Sequence, residues 1–419
     1  MRKPKPHMDV SIMHPDEVAA LVDQRRIIEA SPYIWRDPRT LPRRPWVYGR
    51  WLLRGTVTCV IAPGGAGKST MLAGMALALA SGRPIFGQTV WSGPKRVWTW
   101  NLEDDLDEMT RSIQAAALHH GIEPEDIEGR LFVDSGMEGA MLCTATDNDG
   151  QFKLDEGVFK ALVAELKRRG IDVLFVDPFV SSHEVDENSN NKVDKIVKEW
   201  ARVAKAANCC IVLVHHTSKA GSAEVTAMSA RGAGALVNAA RSALVLNRMT
   251  EEMASKYGIS ADERRCLVSV SDDKHNRAPV AQADWFKLIG VDLRNGDDCA
   301  SGDNVAVAVW WKPPEPFDGL TVRDLAAVQD VIADGDWRAD PQSAAWAGKA
   351  VAQVLGLDVE NPRDKARIKA LLKEWIANKA FVTFEAKGPK GKVVDFLKVG
   401  ELVDLAPPRQ GRAKKVTSG

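Results

Sequence analysis

The residues of this 419-residue chain best suited to chemistry are a lysine, a hydroxyl and a few carboxylates, each beside the end of an apolar run. Pro63-Gly64-Gly65-Ala66-Gly67-Lys68-Ser69-Thr70 follows the apolar segment VTCVIA and opens the helical stretch TMLAGMALALASG. In a glycine loop of this kind, backbone N–H groups turn inward around β- and γ-phosphates, and the next helix adds its positive dipole end. Lys68 would bring a point charge to the phosphate oxygens, and the Ser69 hydroxyl would reach Mg²⁺. Ala62 replaces the first glycine of G-x-x-x-x-G-K-[ST], but the strand–loop–helix setting carries the motif. ATP and Mg²⁺ are the ligands expected.

Three further positions supply matching chemistry. Asp177 ends the apolar run DVLFVD, where a carboxylate can hold the water shell of Mg²⁺, so Ser69 and Asp177 form the expected metal set. Glu103 follows VWTWNL and could orient and deprotonate an attacking water. The run Glu103-Asp104-Asp105 fits equally an acidic turn at a helix N-terminus. His215 and His216 end IVLVHH, and strand alternation sends them to opposite faces, leaving His216 as the polar sensor of γ-phosphate.

The elements that must position these groups are legible as apolar runs at 57–62, 96–102, 130–135, 172–177, 209–216, 242–249 and 265–273. They alternate with helical segments, the signature of a mostly parallel α/β sheet covered on both faces. Residues 1–45 read as a polar arm or linker, with a short helical pattern near Pro15 to Ala30. A Gly/Asp-rich stretch after Leu293 and the proline cluster KPPEPFDG close a domain spanning 46–312. Residues 313–405 carry three helical segments and two strands around a Gly/Pro turn, the outline of a winged helix-turn-helix, and 406–419 read as a disordered basic tail. From Arg363 to Lys398 the excess of basic over acidic residues suits DNA, although a solvated charged face would look the same.

Net charge is +0, so any nucleic-acid contact must come from local patches. No apolar run approaches the roughly 18 residues of a membrane span, and there is no signal-peptide pattern; the cytoplasm is the expected compartment. None of the six cysteines forms a C-x-x-C pair, which argues against zinc and disulfide frameworks.

Taken together, APGGAGKST, NLEDD, DPFVSSHEVDENSNN, HHTSK and SARGAGALVNAARSALVLNRMT resemble the RepA-type plasmid replicative helicases, hexameric ATPases of the RecA/DnaB-like superfamily. The resemblance spans roughly residues 40–293. It implies a RecA-like P-loop ATPase fold, with Lys68, Ser69 and Asp177 on nucleotide and Mg²⁺, Glu103 as catalytic carboxylate and His216 as sensor. Arg241 falls where the family places an arginine finger acting on a neighbour's nucleotide, and Lys274 and Arg277 lie near where relatives carry a lysine and an arginine finger. Solvated surface roles fit Arg241, Lys274 and Arg277 as well. A homo-oligomeric ring, hexameric in the family it resembles, with single-stranded DNA in its channel and duplex on the C-terminal domain, is the implied assembly; a DNA-binding initiator, a helicase loader or a KaiC-like regulatory ATPase are the alternatives. The segments 181–191 and 217–234, small and polar, read as irregular surface loops in the channel-lining positions.

Overall fold

A computed structural model describes residues 30–148, 150–217, 225–226, 233–275, 283–298, 300–387 and 392–403. Residues 30–44 belong to a unit of their own. In it Asp37 caps the short 3-10 turn Pro38–Thr40, and Tyr33, Ile34 and Trp35 are exposed. The helical pattern expected near Pro15 lies outside the described residues.

The second unit begins with β1 (Trp46–Tyr48) and β2 (Leu52–Leu53), then β3 (Thr56–Pro63) and α1 (Lys68–Ser81). β4 (Val97–Asn101), α2 (Leu106–His120), α3 (Pro124–Ile127) and β5 (Leu131–Ser135) follow, then the hairpin β6 (Ala145–Asn148) and β7 (Gln151–Leu154). Next come α4 (Glu156–Arg169), β8 (Val173–Asp177), α5 (Asn190–Ala207), β9 (Cys210–Thr217), α6 (Ala233–Ala239) and β10 (Ser242–Arg248). The helices α7 (Glu251–Tyr257) and α8 (Ala261–Arg265) precede the strands β11 (Leu267–His275), β12 (Asp284–Asp292) and β13 (Asn304–Trp311).

One nine-stranded sheet has the order β13-β12-β11-β10-β3-β9-β8-β4-β5. From β10 to β5 all pairs are parallel; β11, β12 and β13 extend the sheet antiparallel. All seven strands read from the sequence lie in it. β12 and β13 are additions: DWFKLIGVD and NVAVAVWW are paired along eight positions.

The apolar runs are apolar because both faces are covered. Val57, Cys59 and Ile61 point with Leu174, Val176 and Leu213 into a core under α4, α5 and α6, filled by Phe159 and Trp200. Val60 and Ala62 point with Phe175, Val212 and Val214 to the other face, against Met71, Met75 and Leu79 of α1. Period-2 alternation along each strand thus feeds two cores. α1 is sheathed on nearly every side, and Met71 to Ala80 are all buried. No helix among the described residues is long and apolar enough to cross a membrane.

Three helices, α9 (Val322–Ala333), α10 (Ala347–Leu355) and α11 (Pro362–Ala377), pack with a three-stranded antiparallel sheet, β14 (Trp337–Arg338)-β16 (Val393–Val399)-β15 (Phe381–Lys387). Their core is separate from those of the large sheet and is built on Val328, Trp346, Ile368, Leu371, Trp375 and Phe381. The expected three helices and hairpin are present, with β14 as an extra edge strand. α11 seats against the end of α7 so closely that a Cβ at Gly258 would lie 2.2 Å from Arg363 Cα.

The segment 181–191 corrects an expectation. It is partly packed: Ser182, His183 and Val185 are buried although most of their neighbours are exposed, and helix α5 already starts at Asn190. The Ser182 carbonyl accepts from Thr144 N–H at 2.8 Å, and Glu184 N–H donates to the Ala145 carbonyl at 2.8 Å. These partners come from the β6–β7 hairpin, distant in sequence, which local composition does not reveal.

His183 stacks edge-on against Phe179, and its Nδ1 accepts from Val185 N–H at 3.3 Å. Burial pushes its pKa down from 6.5 to about 4. The neutral imidazole therefore contributes stability fully above 6.5 and loses it as pH falls toward about 4, because the unfolded chain takes up the proton first. We expect the urea midpoint to fall across this window, and His183→Gln to flatten the fall. An identical pH slope in the variant would remove His183 as its source.

Candidate active site

Four strand tips meet at one edge of the sheet because their registers align. Asn101 pairs with Asp177, Val176 with Leu213, and Ala62 with His216. The carboxyl ends of β4, β8, β9 and β3 therefore converge at the crevice where open α/β sheets take ligands. Ala62 is buried inside β3 and so needs no positive φ, which explains why a side chain is tolerated there.

The loop Pro63 to Thr70 turns from β3 into α1. Gly65 (φ +70°) and Gly67 (φ +82°) are left-handed, a conformation that excludes most side chains. A Cβ at Gly67 would also lie 3.0 Å from Leu288 of β12, while at Gly64 nothing stands within 4 Å. The loop, including Pro63, Gly64, Gly65, Ala66 and Gly67, thus delivers a glycine-lined turn to the N-terminus of a fourteen-residue helix.

Lys68 is 4% exposed, and its Nζ donates to the Pro63 carbonyl at 3.3 Å. Burial lowers its pKa, and the carboxylates of Asp177 and Glu103 push it back up. Lysine, Asp177 and Glu103 therefore share one electrostatic site. Ser69 Oγ lies 3.5 Å from Asp177 Oδ2, and Asp177 Oδ1 is buried with no hydrogen-bond donor among the described residues. His216 Nε2 stands 3.5 Å from that same oxygen. A hydroxyl facing a carboxylate with a spare buried oxygen is an all-oxygen donor pair, which fits Mg²⁺ and its water shell. His215 faces away, buried, with Nδ1 3.9 Å from Glu187, as alternation requires.

The acids of this turn occupy different places. Asp105 is the N-cap of α2, accepting from Glu108 N–H at 2.7 Å. Glu103 precedes the cap, and Ser181 Oγ donates to its Oε1 at 3.3 Å. The backbone at Glu103 is fixed by Asn101, whose Oδ1 accepts the N–H groups of Glu103 and Asp104, both at 2.8 Å. Asn101 Nδ2 in turn donates to Asp104 Oδ2 at 2.8 Å. A narrow cleft of about 50 Å³ opens beside Ser69 and Asp177, bordered by Thr99, Asn101 and Asp104.

Two features escaped sequence reasoning. Asn101 belonged to the quoted NLEDD turn, yet only its side-chain geometry reveals that it aims Glu103. Arg248, at the tip of β10, donates from its guanidinium to the Gly65 carbonyl, laying a cation along the loop. An arginine closing the apolar run SALVLN was the available signal, and the strand order gives it meaning.

Arg241 and Lys274 lie at the opposite end of the strands. Arg241 N–H donates to the Val57 carbonyl, so six residues of β3, about 20 Å of extended strand, separate it from Pro63. Lys274 pairs with Ala243, and its Nζ donates to the carbonyls of Val237 (2.6 Å) and Asn238 (3.0 Å) in the last turn of α6. Burial lowers the Lys274 pKa, and the charge of Arg241 adds to the effect. The two cations are neighbours, and neither approaches the phosphate loop of its own chain. Arg277 lies outside the described residues. Of segment 217–234, only Thr217, Val225, Thr226 and the start of α6 are described; Asn247 holds Val225 through both backbone N–H and carbonyl.

A glycine loop between strand and helix, its lysine and hydroxyl facing a strand-end aspartate in a mostly parallel sheet, defines a RecA-like P-loop nucleotide-binding domain. Consistent with this, residues 26–222 match the family model described as AAA domain, and a domain of that type supports ATPase activity. The match covers the loop, Glu103, Asp177 and His216 and ends before Arg241.

We expect Asn101→Ala to lower kcat for ATP hydrolysis by about 10²-fold, the size of effect that misplacing a catalytic group produces. Nucleotide affinity should stay nearly constant, and Asn101→Asp, which keeps the acceptor, should recover part of the rate. Steady-state hydrolysis with a fluorescent-nucleotide titration checks both; an equal loss in affinity would make Asn101 a binding residue.

Proposed function

We propose that the chain is an ATP-driven motor on DNA, a RepA-like, ring-forming replicative helicase of a plasmid, phage or integrated element. The observation that carries the reading is the separation of Arg241 from its own phosphate loop. An arginine whose backbone lies about 20 Å of strand away cannot serve its own nucleotide, and at a protomer interface it can serve a neighbour's. ATP would lie on the Pro63–Thr70 loop with Lys68 against the phosphate oxygens. Ser69 and Asp177 would hold Mg²⁺, which supplies charge neutralisation of the phosphates. Glu103, aimed by Asn101, orients a water and takes its proton. His216, beside Asp177, is placed to respond to the γ-phosphate and to pass the change along β9 to the segment that follows Thr217. Single-stranded DNA is the partner expected in the ring channel, with hexameric assembly and unwinding polarity taken from the family resemblance.

A second reading is favoured by the C-terminal three-helix unit. Its helix α11 exposes Lys369 and Lys373, and a winged-helix-like module that reads duplex DNA suits an initiator or loader as well as a helicase. Strand displacement on a forked substrate separates the two.

We expect Lys68→Ala to abolish hydrolysis and Arg241→Ala to lower it by roughly 10³-fold, as for other arginine fingers. Mixing the two inactive proteins should restore hydrolysis, because Lys68→Ala subunits still present Arg241 to intact sites. Failure to complement, with mixed assemblies demonstrated by mass measurement, would rule out action between subunits.

A further inference from the structure

The small sheet of the C-terminal unit has two unlike faces. Antiparallel register sets Thr383 opposite Leu397, and Phe381 opposite Val399, on the side of the core. The other face carries Val382, Phe384 and Ala386 from β15, Val394, Phe396 and Lys398 from β16, and Arg338 from β14. None of these seven positions is acidic; Glu385 and Asp395 pair with each other on the opposite face.

On the open face the rings of Phe384 and Phe396 stack, with centroids 5.9 Å apart and planes 29° from parallel. Each ring also has a cation over it: Arg338 Cζ is 5.6 Å from the Phe396 centroid, and Lys398 Nζ is 5.4 Å from the Phe384 centroid. Phe384 and Val382 are each 38% exposed, a large apolar presence for a surface sheet. A cleft of about 250 Å³ runs beside the pair, bounded by Ile332, Trp337, Leu397 and Lys398, with Asp336 at its rim.

A stacked aromatic pair flanked by cations has a specific complement. Every nucleobase offers a π face, and base–aromatic stacking works without sequence readout when the bases are unpaired. The phosphates between such bases meet the two cations. A duplex hides its base faces and gains only the charge term. An apolar protein partner would use the phenylalanines but leave two cations unanswered.

We propose that the face formed by Phe384, Phe396, Arg338 and Lys398 binds single-stranded nucleic acid by stacking unpaired bases. This is distinct from the ring channel and from duplex contact by α11. It rests on the reading of the chain as a nucleic-acid-associated ATPase.

The test uses the full chain and a thymidine oligonucleotide carrying 5-iododeoxyuridine, photo-cross-linked and mapped by mass spectrometry, with the uridine counterpart as a second arm. We expect adducts on Phe384 or Phe396, displaced by excess unlabelled single strand and not by a duplex of equal length. The stronger of the two unlabelled competitors, deoxyribose or ribose, identifies the strand. Phe384→Ala and Phe396→Ala should each reduce the adduct yield by roughly tenfold, in line with the loss of one stacked base, and Phe384→Tyr should retain it. Arg338→Ala with Lys398→Ala should flatten the salt dependence of binding by about 1.4 log units per decade. Adducts confined to other residues, equal competition by duplex, or displacement only by an acidic peptide would overturn the proposal. Hydrolysis measured in the same samples separates the two readings: its absence tells against the ATPase function, and intact hydrolysis without the cross-link tells against this face alone.

Discussion

The register of four parallel strands is the constraint on which the rest of the molecule depends. Because Asn101 sits opposite Asp177, and Ala62 opposite His216, the acidic turn, the strand-end aspartate, His216 and the phosphate loop share one edge. A one-residue slip of β8 or β9 would turn every side chain on that strand to the other face. Asp177 would then be lost from Ser69, and His215 would replace His216. The slip is opposed by the cores on both faces: Leu174, Val176 and Leu213 are committed to one layer, Phe175, Val212 and Val214 to the other. The chemistry of the site is thus held in place by hydrophobic burial several residues away from it.

Within that frame the electrostatics are deliberately incomplete. Among the described residues, Lys68 is buried against one carbonyl, Asp177 keeps a buried oxygen without a donor, and Arg248 rests on a loop carbonyl. A buried charge without full pairing costs free energy. Here the deficit is shared by a cation and carboxylates positioned so that a polyphosphate with its divalent ion would complete both sets. The glycine loop contributes no opposing side chain at Gly64, where space is open. Ligand binding to such a site stabilises the fold as well as the complex, by mass action.

How much of this was legible depended on range. The loop from Pro63 to Thr70 and the seven apolar runs are local patterns, and strand–loop–helix order was enough to interpret them. Asn101 and Arg248 were in plain view as residue types, but their meaning comes from neighbours across the sheet. β12 and β13 went unread as strands because DWFKLIGVD mixes polar with apolar residues and VAVAVWW runs straight into the proline cluster; pairing with each other, and of β12 with β11, is what identifies them. The segment 181–191 looked irregular for a related reason: its polar composition conceals three buried residues, and its backbone bonds to Thr144 and Ala145 at the start of the β6–β7 hairpin are long-range. The role expected of Arg241 rests on family likeness alone, since nothing in its own surroundings marks it.

β10 connects these two scales. Its first residue follows Arg241, and its last is Arg248, so one seven-residue strand carries a cation at each end. It lies beside β3 in parallel register, pairing Ser242 with Thr58 through Val245 with Ile61. A strand clamped between β3 and β11 moves as a body, because packed cores shift between discrete arrangements rather than stretch. If Arg241 engages a neighbour's nucleotide, any displacement of β10 that follows also moves Arg248 relative to the Gly65 carbonyl of its own loop. Lys274, anchored on the end of α6 beside Arg241, ties the helix to the same strand end. The sheet then needs no separate relay to make one site sensitive to the next: the strand that presents the outward cation is the strand that touches the inward loop.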